Sequence, residues 1–155
     1  MIIRIANVND INAIINLFYE LDTGAINSQP EHFQRGERTN EYLSEIINNE
    51  KSDFLVVELS SEIIGFSLLY EKKVKSLSLL VPCKYTYIQD FVIKEEYRNQ
   101  GFGAKLMNES KKWATKHNSE YLRLSVLPNN KNAQRFYASH GLIEQMITME
   151  CSLRN

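Results

Sequence analysis

The segment Ile93-Lys94-Glu95-Glu96-Tyr97-Arg98-Asn99-Gln100-Gly101-Phe102-Gly103 decides the fold. Before it, Tyr85–Ile93 is rich in aromatic and β-branched residues and predicts a strand. After it, Gly101–His117 sets Phe102, Leu106, Trp113, Ala114 and His117 on one face of a predicted helix. The junction is thus a strand, a polar turn and a helix that opens on two glycines. The first amides of a helix lack intrahelical acceptors and the helix dipole favours negative charge there, so the junction has the outline of an anion site. Glycine adds close backbone approach and positive φ. A Gly-x-Gly of this kind serves packing or capping as readily as ligand binding. Two phosphate-binding patterns fail: no Lys-Ser/Thr follows the glycines as in a Walker A loop, and Leu106 stands where a dinucleotide fingerprint needs its third glycine, with no acidic ribose partner at the right distance.

Working outward, residues 2–6 predict a short strand and Asn9-Asp10 a helix N-cap, followed by Ile11, Ile14, Ile15, Phe18 and Leu21 at helical spacing. Asp22 to Arg38, with Gly24, Pro30 and Gly36, reads as a long loop or broken helix. Thr39 or Asn40 caps a second helix that turns Tyr42, Leu43, Ile46 and Ile47 inward. Asp53–Leu59 and Ile63–Tyr70 flank Ser60-Ser61-Glu62 as an antiparallel hairpin. Leu77–Val81 ends at Pro82 and reads as a loop or edge segment. Tyr121–Leu127 is a strand, Asn132–His140 a short helix closed by Gly141, and Ile147–Leu153 a last strand. This order gives an α/β chain with a mixed sheet, α+β in detail, and helices on the faces of the sheet. With no linker or repeat, residues 1–155 are expected to form a single domain.

Arg98-x-x-Gly101-x-Gly103 resembles the Arg/Gln-x-x-Gly-x-Gly/Ala signature of the GNAT (Gcn5-related N-acetyltransferase) superfamily. Three other stretches fall in the family's order. Glu62–Leu69 looks like its third strand and Tyr87–Ile93 like its fourth. Asn132–Leu142 resembles its Asn-x-x-Ala/Arg-x-Phe-Tyr-x-x-x-Gly-Phe segment, with Leu142 in place of the usual Phe. The match covers essentially the whole chain. It implies a mostly antiparallel sheet whose fourth and fifth strands splay apart, with acetyl-CoA bound between them as cosubstrate. By this resemblance the amides of Arg98, Asn99, Gln100, Gly101, Phe102, Gly103 and Ala104 cradle the pyrophosphate, with Lys105 nearby. The bulged fourth strand gives main-chain contacts to pantetheine at Phe91, Val92 and Ile93. Asn132 bonds the pantetheine or the adjoining loop, and Phe136 packs near the cofactor or simply in the core.

Acetyl transfer from sulfur to an amine needs a base, because a primary amine with a pKa of about 10.4 is mostly protonated at neutral pH. The departing thiolate needs a proton. Tyr137 matches the family tyrosine assigned as general acid; the alternative is a packed tyrosine. Asp90 is the best carboxylate for a base, directly or through water, or else binds the acceptor's ammonium group. Asp and Phe alternate faces on a regular strand, so a bulge matters to this assignment. For the acceptor, Tyr19, Glu20, Asp22, Glu31, His32 and Phe33 suggest an acidic, aromatic mouth suited to a cationic amine, and Tyr85 and Tyr87 are further wall residues. Those same acids serve equally well as plain surface. The expected enzyme is therefore an acetyl-CoA-dependent N-acetyltransferase working by direct transfer in a ternary complex. The alternative is a non-catalytic acyl-CoA-binding or regulatory module on the same fold. The acceptor is a small-molecule amine or a protein or peptide amine, and the resemblance also allows a homodimer.

Composition narrows the field. The 155 residues are 43% hydrophobic and 24% charged, with a net charge of −1, which speaks against nucleic acid as a partner. The balance is uneven: residues 1–62 carry eleven acids and four bases, residues 63–155 eight acids and fourteen bases. The basic part contains the whole expected CoA site; the acidic part contains the expected acceptor helices. Cys83 and Cys151 form no disulfide framework and read as reduced, buried thiols of a cytoplasmic protein, neither of them a nucleophile. His32, His117 and His140 are isolated, so no metal site is expected. No leader or membrane span is expected either.

Overall fold

The computed structural model describes every residue, Met1–Asn155. The chain divides into two compact units, Met1–Ser125 and Val126–Asn155. The first contains a five-stranded sheet in sequential order: β1 (Ile2–Ile5), β2 (Ser52–Leu59), β3 (Glu62–Val74), β4 (Cys83–Ile93) and β5 (Tyr121–Arg123). The first three pairings are antiparallel and β4–β5 is parallel. Between β1 and β2 lie α1 (Ile11–Ser28) and α2 (Asn40–Ile47); α3 (Phe102–Lys116) joins β4 to β5. The mixed α/β class and the mostly antiparallel sheet agree with the sequence reading.

Each face of the sheet has its own apolar layer. Ile14, Leu17 and Phe18 of α1 and Leu43 and Ile46 of α2 bury against Phe54, Val56, Phe66, Leu68 and Val92. Phe18, Phe54 and Phe66 meet with ring centroids 4.9–6.2 Å apart. On the opposite face, α3 packs Leu106 and Met107, both fully buried. Ser60 and Ser61 turn the β2–β3 hairpin with φ of 49° and 68°, the paired left-handed conformation that matches strand twist.

Several boundaries differ from the sequence reading. Asp10 is the N-cap residue of α1, as expected, but its side chain caps no amide of that helix; Asn7 caps a 3-10 turn (Val8–Asp10) that leads into α1, and Asp10 accepts from the Asn7 amide at 2.8 Å. The segment from Asp22 onward, read as a long loop or broken helix, continues α1 to Ser28 before the loop begins. Gly24 is tolerated inside that helix because Asp22 and Thr23 are anchored by side-chain bonds. A Cβ at Gly24 would meet nothing within 4 Å. Gly24→Ala should therefore stabilise the protein by about 0.5–1 kcal/mol, read as a rise in the denaturation midpoint at constant m-value. Thr39 caps α2 as expected, accepting from the Tyr42 amide at 3.1 Å. Leu77–Val81 is a loop, as expected. Cys83 is only half-buried and Cys151 is exposed, contrary to the expectation of buried thiols.

The second unit contains α4 (Lys131–Ser139). Asn130 caps it by accepting from the Ala133 amide, and Gln134 ties the preceding turn through bonds to the Leu127 and Pro128 carbonyls, both 2.9 Å. Gly141, at φ 84°, ends it as expected, with the Leu142 amide returning to the Tyr137 carbonyl. The strand expected at Ile147–Leu153 is not formed; no regular element follows α4. Alternating apolar residues specify a strand's faces but supply no ladder to join. The same limit shortens β5, expected to reach Leu127, to three residues.

Candidate active site

Strand β4 organises the site. Its register against β3 runs Ile93, Val92, Phe91 and Asp90 opposite Gly65, Phe66, Ser67 and Leu68, then slips so that Ile88 faces Leu69. Gln89 is the extra residue, a β-bulge. Without it Ile88 and Asp90 would share a face. With it, Asp90 lies on the face of Leu68, Phe66 and Val92, under α1 and α2, while Ile88 lies on the α3 face. Tyr85 and Tyr87, opposite Lys72 and Tyr70, precede the slip and fall on the Asp90 side. Gly65 permits the close approach of β3 beyond the bulge: a Cβ there would lie 2.5 Å from the Val92 carbonyl oxygen and from Ile93 Cδ1. The β4–β5 ladder covers only Tyr85–Tyr87 against Tyr121–Arg123. From Ile88 onward the β5 side of β4 is released, which is the splay expected of these strands.

At the end of the released stretch the chain makes a 3-10 turn, Glu95–Tyr97, and then passes through two left-handed residues, Asn99 (φ 59°) and Gly101 (φ 85°). A side chain at Gly101 would strain that conformation. No side chain caps α3. The Lys105 amide closes the first turn on the Gly101 carbonyl, so Phe102, Gly103 and Ala104 present the amides that have no carbonyl one turn back. Phe102 packs edge-on to Tyr97, and Gln100 donates to the Glu96 carbonyl. Lys105 projects, exposed, from the same turn. Arg98 behaves differently from a phosphate-facing side chain: its Nη2 donates to Glu20 at 2.6 Å and its Nε to the Ile93 carbonyl at 2.8 Å.

Asp90 is pushed up to about 6, chiefly by burial; the nearby Arg38 guanidinium opposes the rise and the Asp22 carboxylate adds to it. Asp22 is itself buried and holds Arg38 through two bonds, 2.5 and 3.0 Å, while accepting the Gly36 amide. The Arg38 guanidinium lies 4.1 Å from the Phe18 ring centroid. Arg35 makes a parallel tie, stacked on Tyr19 at 3.7 Å and bonded to the Tyr19 carbonyl and Thr23. Two arginines thus strap the α1–α2 loop across α1. Sequence reasoning missed both; their partners are 12 to 16 residues away and no local pattern signals such pairs. The open acidic mouth is corrected accordingly: Glu20 and Asp22 are both ion-paired. Tyr19 is exposed, as is Phe33 on the strapped loop. Tyr85 lies under the Arg123 guanidinium and Tyr87 donates to Ser125.

In the second unit, burial pushes the Tyr137 hydroxyl up to about 12, so it keeps its proton at neutral pH. Phe136 stands edge-on to Tyr137 and tilted against His140. Asn132 accepts from Arg135 through its side-chain oxygen.

The model of the Acetyltransferase (GNAT) family matches residues 13–142. This chain belongs to the GNAT acetyltransferase family. It is 27% identical over 142 residues to an uncharacterized N-acetyltransferase of Archaeoglobus fulgidus, covering 92% of each chain. Its fold is similar to a mutant of the BH1408 protein from Bacillus halodurans (TM-score 0.94, 25% identity, 99% of this chain and 100% of the other). It also shares the fold of the aminoglycoside N-acetyltransferase AAC(6')-Iy in complex with CoA (TM-score 0.74, 14% identity, 99% and 100%). Two further structural facts bear on chemistry and setting. No helix is long and apolar enough to cross a membrane, and no group of three or more His, Cys, Asp or Glu side chains could hold a metal.

Proposed function

We propose that this GNAT acetyltransferase transfers an acetyl group from acetyl-CoA to a primary amine, by direct attack in a ternary complex. The observation that carries the reading is the release of β4 from β5 beyond Tyr87, with the uncapped amides of α3 at the end of the same strand. A released strand edge offers amide and carbonyl groups to an amide-bearing arm. The helix end offers donors and positive potential to a pyrophosphate. These features fit a CoA thioester, and they support roles for Phe91, Val92, Ile93 and residues 98–105. Asn132 and Phe136 are carried over from the family motif.

Acetyl-CoA supplies an acetyl group on a thiol leaving group. The residues of this chain supply the rest. Asp90, ionised above about pH 6, takes a proton from the amine directly or through water. A β4 amide meets the charge that develops on the carbonyl oxygen. Tyr137 holds the proton that the departing sulfur requires. With the carboxylates of Glu20 and Asp22 already paired, Asp90 is the acid on the α1 face best suited to a cationic acceptor, and Tyr19, Phe33, Tyr85 and Tyr87 are candidate wall residues. A single domain over residues 1–155 and a cytoplasmic setting complete the proposal, which also allows a homodimer.

Thermal shift with acetyl-CoA, ATP and NAD, followed by acetyl-CoA consumption over an amine panel, tests it. Stabilisation by acetyl-CoA and turnover with a cationic amine are expected. Stabilisation by ATP or NAD alone would refute the donor assignment; acetyl-CoA binding without turnover on any amine would leave the binding-module reading in its place.

A further inference from the structure

Glu20 joins two segments more than seventy residues apart. Its Oε1 accepts from the Glu95 amide at 2.9 Å and from Arg98 Nη2 at 2.6 Å. Arg98 continues the chain of bonds through Nε to the Ile93 carbonyl. The turn between β4 and α3 is therefore fastened to α1 at its first amide and again at its last side chain. The same stretch of α1 holds the acceptor-side loop, through Tyr19 with Arg35 and Asp22 with Arg38. Residues 19–22 are a common anchor for both sides of the site.

Charge alone predicts the wrong role for Glu20. A carboxylate beside an anion-binding loop should weaken the binding of a polyanion. It should also divert Arg98, a cation beside that loop, from any phosphate. The cost makes sense if the loop's amides, not the Arg98 charge, do the binding and must be held in place. We propose that Glu20 is a positioning residue for the donor: it fixes Arg98 and the 95–101 turn so that the amides opening α3 converge on the pyrophosphate. This rests on the donor reading above.

The test measures CoA dissociation constants by calorimetry for the wild type, Glu20→Ala, Glu20→Gln, Arg98→Ala and the Glu20→Ala/Arg98→Ala double variant. Glu20→Ala is expected to weaken CoA roughly tenfold, the lower end for a charge-assisted bond at a half-exposed site. Glu20→Gln, whose amide oxygen still accepts from the Glu95 amide, should recover part of that loss. The double variant should lose less than the two single losses combined, since both residues hold the same turn. Tighter or unchanged binding by Glu20→Ala, or losses that simply add in the double variant, would overturn the role. Glu20 is partly exposed and its removal leaves the core intact, so both variants should fold. A wild type that does not bind CoA at all would instead refute the donor reading itself.

Discussion

Tyr137→Phe is expected to lower kcat by about 10²–10³-fold while leaving the affinity for CoA within about twofold, since general acid catalysis contributes on this scale. The ring and its packing against Phe136 survive the change; only the hydroxyl is lost. That hydroxyl titrates near 12 because of burial, so it is fully protonated across the pH range in which the enzyme would be assayed. A group that serves as proton donor to a thiolate must hold its proton until the sulfur departs. Stopped assays of acetyl-CoA consumption, paired with calorimetric binding of CoA, separate the chemical role from a packing role. Equal loss of kcat and CoA affinity, or no loss at all, would remove Tyr137 from the reaction.

The second large effect concerns Asp90, in which activity and stability move in opposite directions. As the base, it should give kcat/KM an acidic limb that rises tenfold per pH unit and levels off above about pH 6. Asp90→Asn should abolish that limb and cost about 10²–10⁴-fold in rate. The folded pKa, about 6, lies above the ordinary carboxylate value of 3.8, so the folded state binds the proton more tightly. Stability from this group is therefore full below about pH 3.8, is lost as pH rises towards 6, and is absent at neutral pH. The two-unit shift corresponds to a penalty on the order of 3 kcal/mol. Asn carries no charge to bury, so Asp90→Asn should be the more stable protein at pH 7, with the difference closing in acid. Urea denaturation at pH 4 and pH 7 checks this; a variant destabilised at both values would contradict the assigned environment. Such an exchange is what a functional site built on a buried charge entails.

The parts legible in the sequence were those coded by neighbours. Thr39 announces α2 because a hydroxyl needs only the amide three residues on. Gly101 and Gly103 announce the start of α3, and the strength of β4 is plain from its aromatic and β-branched run. The illegible parts depend on partners far away in the chain. Gly24 suggested an early end to α1, yet the anchoring of Asp22 and Thr23 outweighs one glycine. Ile147–Leu153 has the alternation of a strand, but a strand also needs a ladder. At the site, the motif marks the backbone of Arg98 but not its side chain, which Glu20 claims from 78 residues away. Arg38, which moderates Asp90, has no motif to mark it. A small share of the uneven charge of the two parts of the sequence is matched in such ties: Glu20 with Arg98 and Glu62 with Lys94 each join an acid of the first part to a base of the second.

The extra residue at Gln89 gives the fourth strand a change of parity. Everything before it obeys one even-odd rule and everything after it the opposite rule. The carboxylate proposed as the base and the apolar residues that seal the sheet thus depend on the same count. Insertions or deletions in β4 are confined to pairs if they are to keep both in register, and a single deletion at position 89 would exchange the inward and outward side chains of either half of the strand. The tip of the β3–β4 hairpin, by contrast, can change length freely. Natural variation in this strand should therefore accumulate by substitution, and variation in length should collect around residues 75–82, where the chain is free of the ladder.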